Sequence, residues 1–226
     1  MSGPSARAPG WSALRVRWYD LATRVAGAVL RLGFGLRMSG RGNVPSSGPV
    51  IFVANHQSYL DPPILAVSAR ARPLAPMARE ALFRFKPFGL LISSLGSIPL
   101  RDETGDAGAM RAALAELAAG RCVALYPEGS RSPDGEMRPF RRGFAVLVKR
   151  SQAPVVPMGM AGQFEAWPRQ SALPRFGGRM VCVVGSPIPA ATLLADEDSG
   201  VARLESVVRE LARSARDQRR AALNSA

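Results

Sequence analysis

The feature that most constrains this chain is the alternation, from residue 50 onward, of short apolar segments with stretches of helical periodicity. The apolar segments are too short for buried helices and are predicted to be strands. They cover residues 50–54, 74–78, 97–100, 122–126, 155–160 and 180–184. Helices are predicted between them at residues 63–69, 107–119 and 142–150. This alternation is typical of an α/β domain in which helices flank a mostly parallel central sheet.

An amphipathic helix over residues 12–36 is predicted to precede that domain. Its apolar residues recur at steps of three, four or seven: Leu14, Trp18, Leu21, Val25, Leu32 and Leu36. Arg17, Arg24 and Arg31 repeat every seven residues and form a basic stripe beside the apolar one. Such a layout favours a helix lying in a lipid interface with its cations near anionic headgroups. The alternative is a helix that packs on its own domain.

The charge balance narrows the class of partner. Lys and Arg number 30 against 17 Asp and Glu, which gives a net charge of +13 and calls for an anionic partner. Aromatic residues make up only 7% of a chain that is 47% hydrophobic, which disfavours a base-stacking surface. We therefore expect a membrane surface or a phosphate-bearing substrate, and no nucleic acid.

The sequence also suggests a compartment. It contains no long apolar window free of charge, so no spanning helix is predicted, and Asp20, Arg24 and Arg31 interrupt any secretory signal. Cys122 and Cys182 lie inside apolar segments, where cysteine behaves as a small core residue. We expect neither a disulfide nor a metal site, and a reducing, cytoplasmic setting.

The stretch NHQSYLD, residues 55–61, follows the first predicted strand and contains His56, the only histidine. Functional residues of α/β sheets cluster at the carboxyl ends of strands. Asp61 lies five residues later, about 140° around the axis if both were in one helix, so the two side chains meet only if the loop folds back. A carboxylate on one imidazole nitrogen would fix the tautomer and leave the other nitrogen as a general base.

A structural role explains the same residues. Asn55 and His56 could bond loop backbone, and Asp61 could simply cap the next helix, with Pro62 at its first position. Ser58 could instead be the cap, with Asp61 as its capping-box partner.

A second polar stretch, YPEGSRS at residues 126–132, follows another predicted strand. Gly129 allows close approach to a ligand, Arg131 offers a forked phosphate-binding group, and Glu128 could accept a hydrogen bond from a hydroxyl. Further arginines follow in RPFRRG, at positions 138, 141 and 142. Alone, this stretch also fits an ordinary polar turn. Together, the two strand-end loops predict a base beside an anion pocket.

These stretches resemble motifs of the glycerolipid acyltransferases related to 1-acylglycerol-3-phosphate acyltransferase. NHQSYLD resembles their NHxxxxD motif, YPEGSRS resembles FPEGTRS, and APVVPMGM resembles VPVVP. The segment AREALFRFKPFGLLISSLGSIPL also resembles the family's intervening block, and the order and spacing agree over about residues 40–190. Four motifs in the right order are more specific than any one of them.

The resemblance implies acyl transfer from a coenzyme A or acyl-carrier-protein thioester to the hydroxyl of a lysophospholipid, with no cofactor and no metal. His56 would be the base and Asp61 would orient it, with Asn55 and Ser58 in supporting positions. The implied acceptor-binding residues are Glu128, Gly129, Ser130, Arg131 and Arg101. The sequence departs from the family pattern at Arg101, because GSIPLRD reverses the family's Asp-Arg order and puts Arg101 before Asp102.

The resemblance and the charge pattern together predict a peripheral or monotopic enzyme at the cytoplasmic face of the membrane. Its predicted parts are a disordered N-terminus (1–10), a membrane-associating helical segment (11–37), an acyltransferase domain (38–200) and a C-terminal helix fraying into a basic tail (201–226). Lysophosphatidate is the expected acceptor. Another lysophospholipid or a lyso-aminolipid is an alternative, as is a non-catalytic protein that binds anionic lipid.

Overall fold

The computed structural model describes residues 7–69, 72–101 and 106–225. Their centre is a seven-stranded sheet with the order β1-β7-β6-β2-β5-β3-β4. The strands are β1 Arg37–Ser39, β2 Val50–Ala54, β3 Leu74–Arg79, β4 Ile98–Leu100, β5 Cys122–Leu125, β6 Val155–Ala161 and β7 Val181–Val184. Every neighbouring pair is parallel except β6 and β7, which are antiparallel. The predicted mostly parallel α/β sheet is confirmed.

The six predicted strands occur in place, and no strand end is shifted by more than one residue. They were visible because β2, β5 and β6 are buried at every position and are therefore continuous apolar runs. The edge strand β1 was not predicted. It has three residues, is only partly buried and contains an arginine and a serine, so it carries no apolar signal.

Helices cover both faces of the sheet. They are α1 Ala13–Phe34, α2 Asp61–Ser68, α3 Ala81–Arg84, α4 Lys86–Ser94, α5 Ala107–Ala118, α6 Gly143–Ser151, α7 Gln163–Ala166, α8 Ala190–Leu194 and α9 Glu197–Asn224. The short helices α3, α4, α7 and α8 were not predicted. The predicted fraying of the C-terminal helix was wrong: α9 continues through the basic segment, where Ala215 and Ala222 are buried and Arg219 donates to the carbonyl of Arg179.

Alternation along β2 divides the core into two halves. Val50, Phe52 and Ala54 face the core half formed with α1 and α2. Ile51 and Val53 face the other half, formed with α5, α6, α8 and α9. The helices of the two halves therefore lie on opposite faces of the sheet.

Helix α1 has two apolar faces. It begins after Ser12, whose hydroxyl accepts from the amide of Arg15, and ends at Gly35 in the left-handed conformation. Its inner face buries Val16, Tyr19, Gly27, Leu30 and Phe34. The apolar stripe recognised in the sequence is the outer face: Leu14 is 77% and Leu32 is 90% exposed.

The outer apolar stripe of α1 differs from the prediction at one end, because Leu36 lies beyond the helix and is buried. Within the described ranges, no helix combines the length and apolarity that crossing a bilayer would need.

The segment ahead of α1 contacts the domain where it is described. Arg7 forms an ion pair with Asp20 at 2.5 Å, Ala8 is buried, and Arg121 donates to the carbonyl of Pro9. The predicted disorder of residues 1–10 therefore does not extend to residues 7–10, and residues 1–6 lie outside the described part of the chain.

Helix α9 lies directly against β6. A Cβ added to Gly159 of β6 would be 2.1 Å from the carbonyl carbon of Leu211 and 2.2 Å from the amide of Ala212. Only glycine allows this approach, so the position of α9 on the sheet depends on Gly159.

Candidate active site

The loops after β2 and β5 leave the same edge of the sheet and are bonded to each other. Because the two strands are parallel neighbours, their carboxyl ends lie side by side. The amide of His56 donates to Oε1 of Glu128 at 2.7 Å, and the amide of Ser132 donates to the carbonyl of His56 at 2.8 Å. The two predicted loops therefore form one site.

His56 and Asp61 meet within the first loop. Nδ1 of His56 lies 2.8 Å from Oδ2 of Asp61, whose side chain is fully buried, whereas the imidazole is 18% exposed. The same Oδ2 accepts from the amides of Gln57 and Ser58, at 2.6 and 2.8 Å. The loop thus folds around the carboxylate. A proton on Nδ1 satisfies this contact and leaves Nε2 as the acceptor, and no group in the described ranges hydrogen-bonds to Nε2.

Neither predicted helix cap forms. Asp61 is the first residue of α2 and not its cap, and Leu60 precedes the helix without a side-chain cap. Pro62 consequently stands at the second helical position. The hydroxyl of Ser58 accepts from the amide of Leu60 and donates to the carbonyl of Trp167. The carboxylate of Asp61 points back into the loop because three donors there converge on it.

Tyr126 lies flat on the imidazole of His56, with ring centroids 4.0 Å apart and planes 12° apart. Its hydroxyl is buried without a hydrogen-bond partner in the described structure, and burial raises the pKa of the phenol well above its usual value. This contact was not predicted. Its only signal in the sequence is a tyrosine in YPEGSRS where the family more often has phenylalanine.

Glu128 hydrogen-bonds to the backbone at two other points of the site. Its side chain is buried, with Oε1 accepting from the amide of His56 and Oε2 from the amide of Arg138, the latter at 2.8 Å. Burial raises the pKa of this carboxyl to about 7, which outweighs the lowering by both backbone bonds. Its binding to a substrate hydroxyl remains a prediction.

Gly129 and Ser130 shape the second loop. Gly129 has φ 79°, a left-handed conformation that favours glycine, and the guanidinium of Arg141 lies against it. The hydroxyl of Ser130 accepts from Nη1 of Arg138 at 2.8 Å. These contacts set the path of the backbone into Arg131.

Arg131 stacks on an aromatic pair. Its Cζ lies 3.5 Å from the ring centroid of Tyr59, which in turn lies 5.2 Å from the ring of Trp167. Nη1 of Arg131 is buried and has no hydrogen-bond partner in the described ranges. The guanidinium is thus held in place while retaining donors for an anion. Tyr59 and Trp167 were not predicted as site residues, although both lie in loops at this edge of the sheet.

Asn55 links β2 to β6. Its Nδ2 donates to the carbonyl of Met160 at 3.0 Å, and its Oδ1 accepts from the amide of Met160 at 2.8 Å. This buried pair of bonds fixes the strand end from which His56 projects.

The structure does not bring Arg101 to this group. Arg101 follows the edge strand β4, and both β3 and β5 separate that strand from β2. Its side chain is 79% exposed, and Nε lies 3.7 Å from Glu80. Asp102 lies outside the described residues. A phosphate contact by Arg101 stays a prediction.

The two cysteines are free and buried, as predicted, in the core half beneath α1 and α2. Burial raises the pKa of each thiol to about 11, so both remain protonated core groups at neutral pH.

Comparison with known proteins identifies the family to which the sequence is similar. The sequence model of the family described as Acyltransferase matches residues 35–161. The chloroplastic 1-acyl-sn-glycerol-3-phosphate acyltransferase BAT2 of Brassica napus is 29% identical over 165 residues, covering 71% of this chain and 47% of that protein. The 1-acyl-sn-glycerol-3-phosphate acyltransferase alpha of Ovis aries is 33% identical over 172 residues, covering 73% and 58%. The matches thus span about half the length of these relatives.

A crystal structure has the same fold. It is that of the 1-acyl-sn-glycerophosphate acyltransferase PlsC from Thermotoga maritima, with a TM-score of 0.75 and 24% identity. The similarity covers 90% of this chain and 79% of that one.

Proposed function

This chain belongs to the acyltransferase family, and we propose that it transfers a fatty acyl group from an acyl thioester to the free hydroxyl of 1-acylglycerol-3-phosphate, giving phosphatidate. The donor is acyl-coenzyme A or an acyl-carrier protein. The observation that carries the proposal is the 2.8 Å contact between His56 Nδ1 and Asp61, at the edge of the sheet that also holds Arg131. The names of the curated relatives support the choice of acceptor.

The proposed reaction uses Nε2 of His56 as the general base. Nε2 takes the proton of the acceptor hydroxyl as its oxygen attacks the thioester carbonyl. Asp61 stabilises the imidazolium that forms. The tetrahedral intermediate then expels the thiolate, which takes the proton back from Nε2, so an ester and a free thiol are produced without an acyl-enzyme. A well-placed base of this kind contributes about 10²- to 10⁴-fold.

Arg131 is the proposed ligand of the acceptor phosphate. A guanidinium binds phosphate through paired hydrogen bonds, and stacking on Tyr59 keeps its plane fixed. The buried, unpartnered Nη1 supports this role, because a buried donor without an acceptor is costly until a ligand supplies one.

An exposed apolar surface supports a peripheral position at a membrane, which we propose is its cytoplasmic face. We call it the α1/α4 surface, and it comprises Leu14, Trp18, Leu21, Val25, Phe85, Phe88, Leu90 and Leu91. The indole of Trp18 donates to the hydroxyl of Ser94, which joins α1 to α4. Arg17, Arg24 and Arg31 are exposed along α1, as an interface with anionic lipid requires.

The proposal is tested by measuring the release of free thiol from acyl-coenzyme A, or from an acylated carrier protein, in the presence of lysophosphatidate. The wild-type chain should release thiol, His56→Ala should lower the rate by about 10²-fold or more, and Arg203→Ala, an exposed position on α9, should match wild type. Full activity of His56→Ala would refute the base. Wild-type protein that binds lipid vesicles without releasing thiol would indicate a non-catalytic lipid-binding protein.

The acceptor is decided by a panel of lyso-lipids with one donor, followed by mass spectrometry. Lysophosphatidate should give the largest product signal. A larger signal from another lysophospholipid or from a lyso-aminolipid would change the acceptor, an outcome that the distant position of Arg101 makes worth measuring.

A further inference from the structure

A groove of about 320 Å³ lies along α9, on the opposite face of the sheet from α1. We call it the arginine groove, and it is lined by Glu136, Arg209, Arg213, Arg216, Asp217 and Arg220. The mechanism described above uses none of these side chains.

Helical spacing aligns the four arginines. Positions 209, 213, 216 and 220 follow one another at steps of four, three and four, so they form one stripe along α9. Another stripe of the helix is buried and holds it on the sheet: Leu204, Val208, Ala212 and Ala215. The guanidiniums are thus carried by a fixed helix rather than by a mobile tail.

Carboxylates compensate only part of this charge. Arg209 pairs with Glu205 at 2.8 Å, and Arg216 lies 3.5 Å from Glu136. Asp217 also lines the groove, but within the described ranges it forms no ion pair with Arg213 or Arg220. The groove therefore retains guanidinium donors for an anionic ligand.

The arginine groove adjoins the catalytic loops. The side chain of Gln57, next to His56, donates to the carbonyl of Gly135, and Glu136 is the following residue. Farther along the same loop, the amide of Phe140 donates to Glu205, the partner of Arg209. Residues 132–142 thus touch the site of His56 on one side and the groove on the other.

The α1/α4 surface and the arginine groove lie on opposite sides of the sheet, and the catalytic edge lies between them. An acceptor held in lipid would reach His56 from the apolar side. An acyl thioester whose non-acyl end is soluble and anionic would reach His56 from the side of the arginine groove.

We propose that the arginine groove binds the phosphate groups of coenzyme A and so places the donor thioester at His56. Coenzyme A carries a diphosphate and a separate phosphomonoester, which suit several guanidinium forks on one stripe. The groove volume falls at the lower end of the range for small-ligand sites. A groove of this volume can accommodate the phosphate groups of a nucleotide. The placement of the thioester at His56 rests on the proposed function, whereas the binding of coenzyme A by the groove does not.

Binding is tested without turnover, by calorimetric titration of the full chain with coenzyme A itself. The double variant Arg213→Ala/Arg220→Ala should raise Kd by about tenfold or more, because charged hydrogen bonds are lost. Arg203→Ala, on α9 but off the stripe, is the matched control and should retain the wild-type Kd. Equal Kd values for the double variant and wild type would overturn the inference.

Two further ligands, titrated in the same way, show which chemical groups the groove binds. Dephospho-coenzyme A, which lacks the phosphomonoester, should bind more weakly than coenzyme A to wild type, and the double variant should reduce that difference. Binding of an acyl-carrier protein together with no binding of coenzyme A would overturn the inference in favour of a protein donor.

Kinetics separates this inference from the proposed function. The double variant should raise KM for acyl-coenzyme A about tenfold while KM for lysophosphatidate stays within about twofold. Equal increases in both KM values would contradict a donor site. If wild type binds coenzyme A through these arginines but acylates no lyso-acceptor, the proposed function fails and the binding site stands.

Discussion

The ring of Tyr126 lies parallel to the imidazole of His56 at a centroid distance of 4.0 Å. The bond from Asp61 fixes one edge of the imidazole, and the stack fixes its plane. Two independent contacts therefore direct Nε2 toward the open side of the site.

Tyr126→Phe should keep the stack and stabilise the protein. The hydroxyl is buried without a partner in the described structure, so its removal should raise the free energy of unfolding by about 1 kcal/mol. The corresponding rise in Tm is roughly 2–4 °C for a chain of this size. Thermal unfolding measures the gain, and turnover should stay near wild type. Tyr126→Leu, which removes the ring, should lower kcat, and an unchanged kcat would show that the stack does not orient the base.

Asp61→Asn should lower kcat by about 10²- to 10⁴-fold. An amide can still accept a hydrogen bond, but it supplies no charge to stabilise the imidazolium and can present its NH₂ group to Nδ1. Circular dichroism should show a folded protein, since Asn can also accept from the amides of Gln57 and Ser58. A folded variant with wild-type kcat would exclude Asp61 from catalysis.

Tyr59 should act through Arg131. Tyr59→Leu removes the aromatic face under the guanidinium, a contact worth about 0.5–2 kcal/mol, and should raise KM for the acceptor by roughly 2- to 30-fold. Tyr59→Phe keeps that face and is the matched control. Steady-state kinetics should show kcat nearly unchanged in both variants. A fall in kcat without a change in KM would mean that Tyr59 positions the catalytic dyad instead.

Glu128 should make stability depend on pH. Its pKa is about 7 in the folded state against 4.5 ordinarily, so between these values the folded state keeps a proton that the unfolded chain releases. The stability contributed by this group therefore falls as pH rises from 4.5 to 7, by on the order of 3 kcal/mol. Glu128→Gln cannot titrate. In denaturant unfolding, the unfolding free energy of wild type should fall relative to that of the Gln variant as pH rises across this window. A difference that stays constant would contradict the raised pKa.

Arg131→Ala and Arg101→Ala should differ. Arg131 lies in the site, whereas Arg101 is 79% exposed beside Glu80, so KM for the acceptor should rise at least tenfold for Arg131→Ala and less than about threefold for Arg101→Ala. Initial rates at varied acceptor concentration measure both. Equal effects would mean that Arg101 reaches the bound phosphate.

The sheet and the position of the site could be predicted because buried parallel strands are apolar runs and their carboxyl ends share one edge. The meeting of His56 with Asp61 could be stated only as a possibility. It depends on the amides of Gln57 and Ser58 converging on one carboxylate oxygen, and loop backbone carries no periodic signal. The stack of Arg131 on Tyr59 joins two loops distant in sequence, which spacing alone does not relate.

The outer stripe of α1 shows that periodicity alone does not predict which apolar face of a helix is buried. Periodicity identifies apolar residues at helical steps, but α1 has two such sets, and only tertiary packing decides which one faces inward. Tyr19 and Phe34 are buried, whereas Leu14 and Leu32 are exposed. Helix α3 was missed because its four residues are too few to establish a period. Helix α4 has nine residues, but only Gly89 is buried, so no buried apolar stripe marks it.

Gly159 has a consequence for how the protein tolerates change. Its missing side chain lets the backbone of α9 rest on β6, the strand to which Asn55 is bonded beside His56. A larger residue there would lift the helix, and with it the guanidiniums it carries, while straining the strand next to the imidazole. The absence of one interior side chain thus fixes the relative position of the arginines on α9 and the loop that carries His56. A substitution at Gly159 would displace both.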